Sequence, residues 1–465
     1  MRPLRRESRR LPPAVRGDPL LGNLRAYRSD HLSVFRTGYA EHGPIFSIRL
    51  AFQRAVVLIG PEHHRWFFRE VDRTLSVPEL YAFVIPMFGR VLNAAEDGDI
   101  RRRQLGILHS AFKGDRMSTH AGVMARETAG WLDTLGAEGA FEIYDAFSML
   151  AMNIAASAFV GPEVRARMHE FAPLFADLAR GMDFVLPPNL PLPRFIRRDR
   201  AREALNEMIG EAIAARERTT AGHDDLLQVV LDMRRDSATG LDDDATVAGF
   251  TLATLFTGYL TTAAQTCWVL IQLLQHPDYL RRVHAEIAEH LPDDSAAIDR
   301  HVLGRLELLE RAIKESQRLH PVMSHYARYN TRDYRVGGYD IPAGWLTMLC
   351  PAVAHRLPEV FDEPNLYDPD RFAPGVDLET RHPYALIGFS GGVYRCPGAG
   401  FGINEIKCIA AMLLQRFELV LEADDPQPSF DMGVIRPAPP CRVAYARRAA
   451  PGRHSPAKGV QLHGH

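Results

Sequence analysis

The spacing of apolar residues predicts a chain built mainly from helices, with short strands near its start. Two early stretches, 45–50 and 55–59, run apolar or alternate with polar residues, as paired strands do. Four prolines break the later pattern between 186 and 193, where we expect a loop. Around that loop, apolar residues recur every three or four positions and predict helices over 105–112, 125–135, 146–159, 168–178 and 200–216.

The stretch 245–277 differs from the rest because it contains no Asp, Glu, Lys or Arg. A span of roughly 20 apolar residues can cross a bilayer, but this stretch also contains seven threonines, three glutamines and His276. We therefore expect no membrane span and predict a long helix buried through the centre of a large soluble domain. Acidic residues at 242–244 cap its expected start, and His276-Pro277 ends it.

Three further elements follow this helix. A helix over 306–319 ends at His320-Pro321, and a hairpin over 334–343 turns at Gly337-Gly338. A last amphipathic helix covers 399–417. The predicted fold class is therefore mainly α with small β-sheets.

A single large domain is expected over residues 13–445, because no repeat and no Gly/Ser linker divides the middle of the chain. Residues 1–12 are rich in Arg and Pro, and residues 446–465 carry Pro, Gly, His and Arg without periodicity. Both ends are expected to be disordered tails.

Composition excludes some classes of protein and indicates a cellular location. The 55 Lys and Arg against 57 Asp and Glu give a net charge of −2, which argues against a nucleic-acid-binding protein. Five cysteines without a CxxC pair indicate a reducing compartment rather than a disulfide framework. The basic first ten residues lack an apolar segment behind them, so we predict no signal peptide and a cytoplasmic location. The strong preference for Arg over Lys is typical of a GC-rich bacterial genome.

Cys396 lies in the most informative segment, 389–398, where three glycines and a proline precede an amphipathic helix. Glycines let the backbone approach another group closely. The helix N-terminus and Arg395 would favour a thiolate over a thiol. A lone thiolate at such a turn is either a nucleophile or a metal ligand, and the alternative is an inert packed cysteine.

The positions of Phe389, Gly392, Cys396 and Gly398 resemble the haem-binding loop of the cytochrome P450 family. The resemblance implies the P450 fold and haem b (heme b, iron protoporphyrin IX) as cofactor, with Cys396 as the proximal thiolate and metal ligand. Such a thiolate pushes electron density onto the iron and favours O–O cleavage. Backbone amides after the cysteine would temper the charge on the sulfur.

Two more segments follow in the order of the family. Glu315 and Arg318 are similar to its Glu-x-x-Arg helix, and Pro369–Phe372 is similar to the segment whose Arg371 joins that ion pair. The resemblance implies a structural role for these charges, as a buried and mutually satisfied network behind the haem. The alternative is solvated surface charge.

The segment Gly258–Thr262 occupies the place of the oxygen-activation motif on the family's central helix. By this resemblance Thr261 lies beside bound dioxygen, and Thr262 supplies a second hydroxyl. A threonine pair can divert helix hydrogen bonds and admit water, whereas the alternative is a threonine bound to its own i−4 carbonyl. The residue before Thr261 is usually acidic, but Leu260 cannot relay protons, so the two threonines and water would have to suffice.

Within the family, the chain looks most similar to sterol 14α-demethylases, particularly bacterial ones. Residues 81–89 resemble their signature, and 67–69, 180–183 and 197–201 look similar as well. In those enzymes the position of Leu260 is His. The likeness therefore indicates ancestry and shape more than substrate.

The same resemblance implies contacts to the cofactor and substrate. Tyr81 and Arg328 would reach haem propionates, and Tyr394 stands where a basic residue often does so, with Arg102 and Arg103 as further candidates. The expected pocket is largely apolar, which suits a hydrophobic substrate. Within it, Tyr259 and His325 would orient one polar group, and the complete set is Phe83, Met87, Phe88, Phe256, Tyr259, Leu260, Val322, Met323, Ser324, His325, Met432 and Val434.

The leading hypothesis is a haem-thiolate monooxygenase that inserts one oxygen atom from O2 into a hydrophobic terpenoid, steroid-like or other natural-product scaffold, in secondary metabolism. No FMN, FAD or NAD motif is evident, so electrons are expected from a separate ferredoxin and ferredoxin reductase, and the enzyme is expected to be a monomer. One alternative is a sterol 14α-demethylase. A second is a non-oxygenating haem-thiolate catalyst or binding protein, and a non-haem helical binding protein would require every motif to be coincidence.

Overall fold

Helices dominate this computed structural model, which describes residues 9–183, 186–218, 223–234, 237–430 and 433–448. The α-helices are α1 Leu24–His42, α2 Pro61–Glu70, α3 Pro78–Tyr81, α4 Ile85–Phe88, α5 Gly98–Ala111, α6 Arg116–Thr134, α7 Ile143–Phe159, α8 Pro162–Ala166, α9 Met168–Arg180, α10 Pro193–Glu217, α11 Leu226–Met233, α12 Asp244–Gln275, α13 Pro277–His290, α14 Arg300–Gly304, α15 Glu307–Leu319, α16 Pro351–Ala354, α17 Leu378–Arg381 and α18 Ala399–Arg416.

The strands form small sheets at the edges of the helical body. They are β1 Ile45–Leu50, β2 Gln53–Leu58, β3 Leu75–Ser76, β4 Glu138–Glu142, β5 Tyr326–Asn330, β6 Tyr334–Val336, β7 Tyr339–Ile341, β8 Leu346–Leu349, β9 Phe417–Leu421, β10 Pro428–Ser429, β11 Arg436–Pro437 and β12 Arg442–Arg447. The largest sheet has the order β1-β2-β8-β5-β3, with β2 and β8 parallel and the other pairs antiparallel. The others are β4-β12-β9, β6-β7 and β10-β11.

Helix α12 runs through the centre of the main apolar core and packs against α7, α10, α15 and α18. The Asp243 side chain caps its start by accepting from the Thr246 N–H. The helix ends before Pro277, which begins α13. By length and composition α12 could cross a membrane, but 83% of its most apolar window is buried inside the protein. This burial agrees with the expected central core helix.

The predicted class, mainly α with small sheets, is confirmed. Strand β1 has the predicted bounds, and the predicted hairpin forms from β6 and β7 around Gly337 and Gly338, whose φ values are +53° and +82°. Helix α10 starts earlier than predicted, at Pro193, because proline suits the first turn of a helix.

The described chain extends into both segments that the sequence assigned to tails. Strand β12 continues to Arg447 and pairs with β4 and β9, so residues 446 and 447 belong to a sheet. Near the start, the Arg10 N–H donates to Asp340 across 2.9 Å, and Arg9 pairs with Asp333. Residues 1–8 and 449–465 lie outside the described residues.

Candidate functional site

The loop before α18 is held in a fixed shape by backbone hydrogen bonds. The N–H of Cys396 donates to the carbonyl of Phe389 across 2.9 Å. The Tyr326 hydroxyl lies 2.9 Å from the Gly388 carbonyl and accepts from the Ser390 N–H at 3.1 Å. Cys396 is partly exposed, whereas the other four cysteines are buried. The loop therefore presents one thiol at the N-terminal end of α18.

The glycines of this loop are needed first for packing against the protein itself. A Cβ at Gly391 would lie 2.7 Å from the Phe68 ring, and one at Gly388 would lie 2.2 Å from the Gln317 side chain. Gly392 has φ +62°, a conformation that side chains disfavour. A Cβ at Gly398 would lie 3.9 Å from the Cys396 Sγ, so this glycine borders the sulfur.

Burial is the largest influence on the Cys396 thiol, and it raises the pKa of that thiol. The Gly398 N–H and the Arg395 guanidinium act in the opposite direction but do not outweigh burial. Both groups act in the direction that the sequence argument gave them, and burial opposes them. A bound metal cation is what would hold this sulfur as a thiolate.

Helix α12 is buried along most of its length but exposes one face near its middle. Thr257 is exposed, and Gly258 and Thr261 are partly exposed, although Phe256, Tyr259 and the residues around them are buried. Thr257 and Thr261 stand one turn apart on the same face. The middle of α12 is therefore accessible on this one face.

An aromatic trio, Phe112, Phe159 and Phe401, connects this face with the cysteine loop. Its ring centroids are 5.2–5.4 Å apart. A Cβ at Gly258 would lie 3.2 Å from the Phe159 ring, and a Cβ at Gly398 would lie 4.0 Å from the Phe112 ring. The trio is therefore a shared wall between the centre of α12 and the Cys396 loop.

The two threonines of the motif differ in their contacts. Thr261 donates its hydroxyl hydrogen to the carbonyl of Thr257 at 3.0 Å, which is the i−4 bond that sequence analysis kept as the alternative. Its oxygen remains able to accept. Thr262 is 7% exposed and faces α18, where a Cβ at Gly402 would lie 3.7 Å from its Oγ1. Leu260 is 3% exposed and belongs to the apolar core.

Arg328 is a buried cation with unused hydrogen-bonding capacity. It is 2% exposed, and it donates from Nη1 to the carbonyl of Ala327 at 2.7 Å. Its Nε has no hydrogen-bond partner among the described residues. The rings of Phe67, Tyr81 and Tyr394 surround the guanidinium at 5.5–6.0 Å. A buried charge of this kind needs an anionic partner, and a carboxylate would supply it.

Tyr394 is engaged by groups of the protein rather than left for a ligand. Its hydroxyl donates to Asp72 at 2.7 Å and accepts from the Nε of Arg101 at 3.0 Å. The single phenolic hydrogen is thereby used, which speaks against the expected hydrogen bond to a propionate. The tyrosine ring, in contrast, packs over Arg328.

The buried arginine of α5 is one that sequence analysis did not name, and the propionate contacts expected of Arg102 and Arg103 stay predictions. Arg102 and Arg103 are exposed, and Arg102 pairs with Asp99. Arg101 is 4% exposed and binds Asp72 and Tyr394. The signal was present in the sequence, because Arg101 stands three residues before Gln104 and seven before Leu108, on the buried face of the helix.

Glu315, Arg318 and Arg371 meet in one ion-pair network. Arg318 donates from two nitrogens to both carboxylate oxygens of Glu315, each across 2.7 Å, and Arg371 donates to Glu315 at 3.0 Å. The Asp368 N–H adds a fourth donor at 2.8 Å. Arg318 and Glu315 are fully buried, and carbonyl oxygens of His355, Pro364 and Leu366 accept the remaining donors of Arg318. The charges are therefore mutually satisfied rather than solvated.

The residues expected to line a pocket fall into two groups. Phe83, Met323, Ser324 and His325 are partly exposed. Met432 lies outside the described residues. The rest are buried, namely Met87, Phe88, Phe256, Tyr259, Leu260, Val322 and Val434.

Of the two polar residues expected to orient a substrate, His325 already has partners within the protein, whereas Tyr259 is fixed only through its ring and its role stays a prediction. Tyr259 packs between Phe175 and Phe256, with ring centroids at 5.6 and 6.0 Å. The two ring nitrogens of His325 face the hydroxyls of Tyr27 and Ser324, at 2.9 and 2.8 Å. The wall of the site is therefore more apolar than the sequence indicated.

These features fit a metal that brings most of its own ligands. Among the described residues, no three His, Cys, Asp or Glu side chains come together as a protein-built metal site requires. A partly exposed thiol and a buried cation, Arg328, for which the described part of the chain supplies no anion, would instead suit a haem with its carboxylates. The family model for Cytochrome P450 matches residues 12–445. The chain belongs to the cytochrome P450 family. P450s bind haem b through a cysteine thiolate.

Curated relatives of this P450 cover nearly its whole length. A sterol 14-demethylase of Arabidopsis thaliana is 31% identical over 95% of the chain and 92% of the relative. A sterol 14alpha-demethylase of Mycobacterium tuberculosis H37Rv is 28% identical over 94% of the chain and 98% of the relative. Among solved structures, the retinoic acid bound cyanobacterial CYP120A1 matches with a TM-score of 0.86 and 25% identity, over 95% of the chain and 100% of that structure. The chain is thus a P450 monooxygenase with sterol demethylases among its relatives.

Proposed function

We propose that this P450 inserts one oxygen atom from O2 into a hydrophobic steroid-like or terpenoid molecule that lies against the exposed face of α12. The observation that carries the proposal is that Thr257, Gly258 and Thr261 open onto a site on that face. The haem thiolate supplies the activation of dioxygen when it is bound. In this proposal Cys396 is its ligand.

The protein side chains would each do a limited task. Arg328, with Tyr81 beside it, would neutralise a haem propionate, because its Nε is unpaired among the described residues. Thr261 would accept a hydrogen bond near the bound oxygen, since its own hydrogen is donated to Thr257. Phe88 and Phe256, whose centroids are 5.4 Å apart, would exclude water from an apolar substrate.

A sterol 14α-demethylase is the second candidate function. The curated relatives at 28–31% identity carry that activity in their names and match more than nine-tenths of the chain. By the family resemblance, Leu260 stands at the position where sterol 14α-demethylases have a histidine. Leucine cannot relay protons, which weighs against an identical proton route.

Electrons would come from a ferredoxin and its reductase. The cytoplasmic location, the monomeric state and the role in secondary metabolism stay predictions.

A spectral titration tests both candidates. The haem-loaded ferric protein is titrated with one 14α-methyl sterol, with its 14-desmethyl counterpart as matched control, while the Soret band is followed. A saturable shift from low to high spin places the ligand beside the iron. Turnover with ferredoxin, reductase and NADPH under labelled O2 then separates the candidates. A 14-demethylated product supports the demethylase, and a labelled alcohol supports the broader monooxygenase.

The negative outcomes are equally decisive. A normal thiolate spectrum without any sterol shift removes the steroid-like substrate, and a panel of terpenoids tests the remaining class. A Cys396→Ser variant should lose the thiolate spectrum of the carbon monoxide complex. If that variant kept the spectrum, the assignment of Cys396 would be wrong. An enzyme that oxidises none of these ligands while holding haem would favour a non-oxygenating catalyst.

A further inference from the structure

Tyr27, His325 and Ser324 form a hydrogen-bonded chain between α1 and the segment that leads to Arg328. The Tyr27 hydroxyl lies 2.9 Å from the Nε2 of His325, and the Ser324 hydroxyl lies 2.8 Å from the Nδ1 of the same ring. Tyr27 belongs to α1, whereas Ser324 and His325 directly precede β5. One imidazole ring thus connects the hydroxyl groups of two distant segments.

The segment 322–328 connects the central helix with the buried cation of the candidate site. At its start, the Val322 carbonyl accepts from the Ile435 N–H at 2.9 Å, and the Ile435 carbonyl accepts from the Trp268 Nε1 of α12 at 3.1 Å. At its end stands Arg328, which is 2% exposed. The middle of the segment therefore stands between its contact with α12 and the arginine assigned to a haem propionate.

The middle of this segment borders an enclosed space. Residues 323–325 are partly exposed, although Val322 and Tyr326 on either side are buried. Burial nevertheless lowers the pKa of His325 from 6.5 to about 3, so its ring is shielded from bulk water. A ring that is partly accessible and yet shielded from bulk water faces a space inside the protein. The Ser324 hydroxyl beside it is in a position to meet a ligand there.

The hydrogen on the His325 ring can be assigned from its two partners. A neutral imidazole has one donor and one acceptor nitrogen. Burial raises the pKa of the Tyr27 phenol, which therefore keeps its hydrogen, and a phenol is a stronger donor than an aliphatic hydroxyl. Among the described residues the phenol contacts no acceptor but this ring. The Nε2 of neighbouring His31 has no partner among them, so it does not take the phenolic hydrogen.

This assignment leaves one hydrogen of the chain unused. Tyr27 donates to the Nε2 of His325, the ring hydrogen stands on Nδ1, and Nδ1 donates to the Ser324 Oγ. The opposite tautomer would leave the buried phenolic hydrogen without an acceptor, which costs free energy. The hydroxyl hydrogen of Ser324 then has no partner among the described residues. A serine that accepts from the protein in this way presents a donor to the enclosed space.

We propose that Ser324 anchors the substrate by donating a hydrogen bond to a carbonyl oxygen, and that Tyr27 and His325 are positioning residues that keep its hydroxyl a donor. The inference rests on the proposed monooxygenase function and narrows its substrate class to hydrophobic ketones. The apolar wall of the site suits the hydrocarbon part of such a molecule. A ligand without the oxygen atom would leave the Ser324 hydrogen unpaired, so this contact would decide between otherwise similar substrates.

Nuclear magnetic resonance tests the tautomer without any substrate. The protein is labelled with 15N-histidine and studied as the ferrous carbon monoxide complex of the holoenzyme, which is diamagnetic. The signals of His325 are those that disappear in His325→Gln. Its Nδ1 should carry the hydrogen in wild type, and in Tyr27→Phe part of the population should carry it on Nε2. A wild-type ring protonated on Nε2 would overturn the proposal, because Ser324 would then donate to the ring.

A binding comparison tests the anchor itself. Each of two ligand pairs has one carbon skeleton with and without a ketone, namely androstanone with androstane and menthone with menthane. The dissociation constants for the ferric holoenzyme are measured from the Soret shift or from displacement of bound imidazole. The ratio of the hydrocarbon Kd to the ketone Kd should fall about threefold to tenfold in Ser324→Ala, as expected for one neutral hydrogen bond. Ser324→Thr retains the hydroxyl and should keep most of the ratio.

A matched control separates the hydrogen bond from the packing of the ligand. Met323→Leu changes a neighbouring, partly exposed side chain that has no hydrogen to donate. It should alter both dissociation constants of a pair alike and leave their ratio unchanged. Tyr27→Phe should lower the ratio although it leaves Ser324 intact, because the serine can then donate to the His325 ring.

The outcomes distinguish this inference from the proposed function. A ratio unchanged by Ser324→Ala would overturn the anchor and leave the monooxygenase proposal standing. An equal effect of Met323→Leu and Ser324→Ala on the ratio would also overturn it. Binding of no member of either pair would instead remove the substrate class of the proposed function, and the assignment of Ser324 with it.

Discussion

Tyr394 and Asp72 share a hydrogen bond of 2.7 Å, in which the phenol donates to the carboxylate. Arg101 closes a triangle with both, at 3.0 Å to the Tyr394 hydroxyl and 2.8 Å to Asp72. Arg101 also donates to the carbonyl oxygens of Ala95 and Glu96. The triangle fixes Tyr394 where its ring packs over Arg328, and so it supports the cofactor side of the site from α5.

Tyr394→Phe should lower the free energy of unfolding by about 1.5–3 kcal/mol, because it removes hydrogen bonds to two charged groups in a buried place. Urea unfolding measures the loss. Tyr39→Phe is the matched control, since the Tyr39 hydroxyl makes a 3.4 Å contact with exposed Glu359, and we expect a change within about 0.5 kcal/mol. Equal effects of the two variants would show that the triangle adds nothing to stability.

Glu315→Gln should be the most damaging single change to the fold. It leaves the guanidinium groups of Arg318 and Arg371 without a counter-charge in the interior, at a cost of about 3–5 kcal/mol. Asp370→Asn breaks an exposed pair with Arg282 and should cost less than about 1 kcal/mol. Unfolding in urea and the haem content of the purified protein are the measurements. A mild effect of Glu315→Gln would contradict the buried network.

Arg328→Met should weaken haem retention because the Nε of the buried guanidinium, unpaired among the described residues, would bind a haem carboxylate. Loss of a hydrogen bond to a charged group, about 1.5–3 kcal/mol, corresponds to roughly tenfold to a hundredfold faster haem transfer to an acceptor such as apomyoglobin. Arg332→Met removes a nearby arginine that donates to the Thr74 hydroxyl, and it should leave the transfer rate unchanged. If both variants released haem alike, Arg328 would have no specific role.

Gly391→Ala should disturb the cysteine loop, since the new Cβ would lie 2.7 Å from the Phe68 ring and 2.9 Å from the Tyr384 ring. We expect a low haem content and an altered thiolate spectrum. Gly400→Ala provides the contrast, because its Cβ meets only the Met117 side chain at 3.9 Å and lies inside α18. Gly400 stands in the first turn of α18, so alanine there should stabilise by less than the roughly 1 kcal/mol expected in a helix interior. Normal haem binding by Gly391→Ala would refute the packing argument.

His320 should make the protein less stable in mild acid. It stacks on Trp268 with a centroid distance of 4.0 Å, and burial lowers its pKa from 6.5 to about 3. Between pH 6.5 and about pH 3, the imidazole of His320 is protonated in the unfolded chain and neutral in the folded protein. The free energy of unfolding should therefore fall as pH drops through this window, by up to about 1.4 kcal/mol per unit from this group.

His320→Gln separates this effect from packing. At pH 7.5 its unfolding free energy relative to wild type reports the lost stacking on Trp268. At pH 5 the difference should be smaller by about 2 kcal/mol, because the variant has no imidazole to protonate. Urea unfolding at the two pH values measures both quantities. Parallel losses at the two pH values would show that His320 does not carry the acid sensitivity.

Much of this protein could be predicted from local patterns. The charge-free stretch 245–277 became α12 to within two residues at each end, because apolar spacing, an acidic cap and a proline act within one segment. The Glu315 and Arg318 pair is likewise local, at three residues apart on α15. Arg371 and the Cys396 loop were assigned by their resemblance to family motifs, and the residue spacing of those motifs is specific.

Contacts between distant segments escaped the sequence. Helical spacing places Arg101 on the buried face of α5, but only the tertiary structure shows that it meets Tyr394, 293 residues later. His325 appeared suited to a substrate until Tyr27, 298 residues earlier, was found against its ring nitrogen. The sequence position of such a side chain does not show which distant residue it will contact in the folded protein.

The sequence by itself determined the family, the helices, the lone thiol and the missing acid at position 260, since each of these is a residue type at a fixed spacing. Only the tertiary structure decided which charges are buried and what they meet. Glu405 is an ordinary helical glutamate in the sequence, and the packing of α18 in the core buries it and raises the pKa of its carboxyl. Burial and the pKa depend on the packing of separate segments, and no local pattern contains that information.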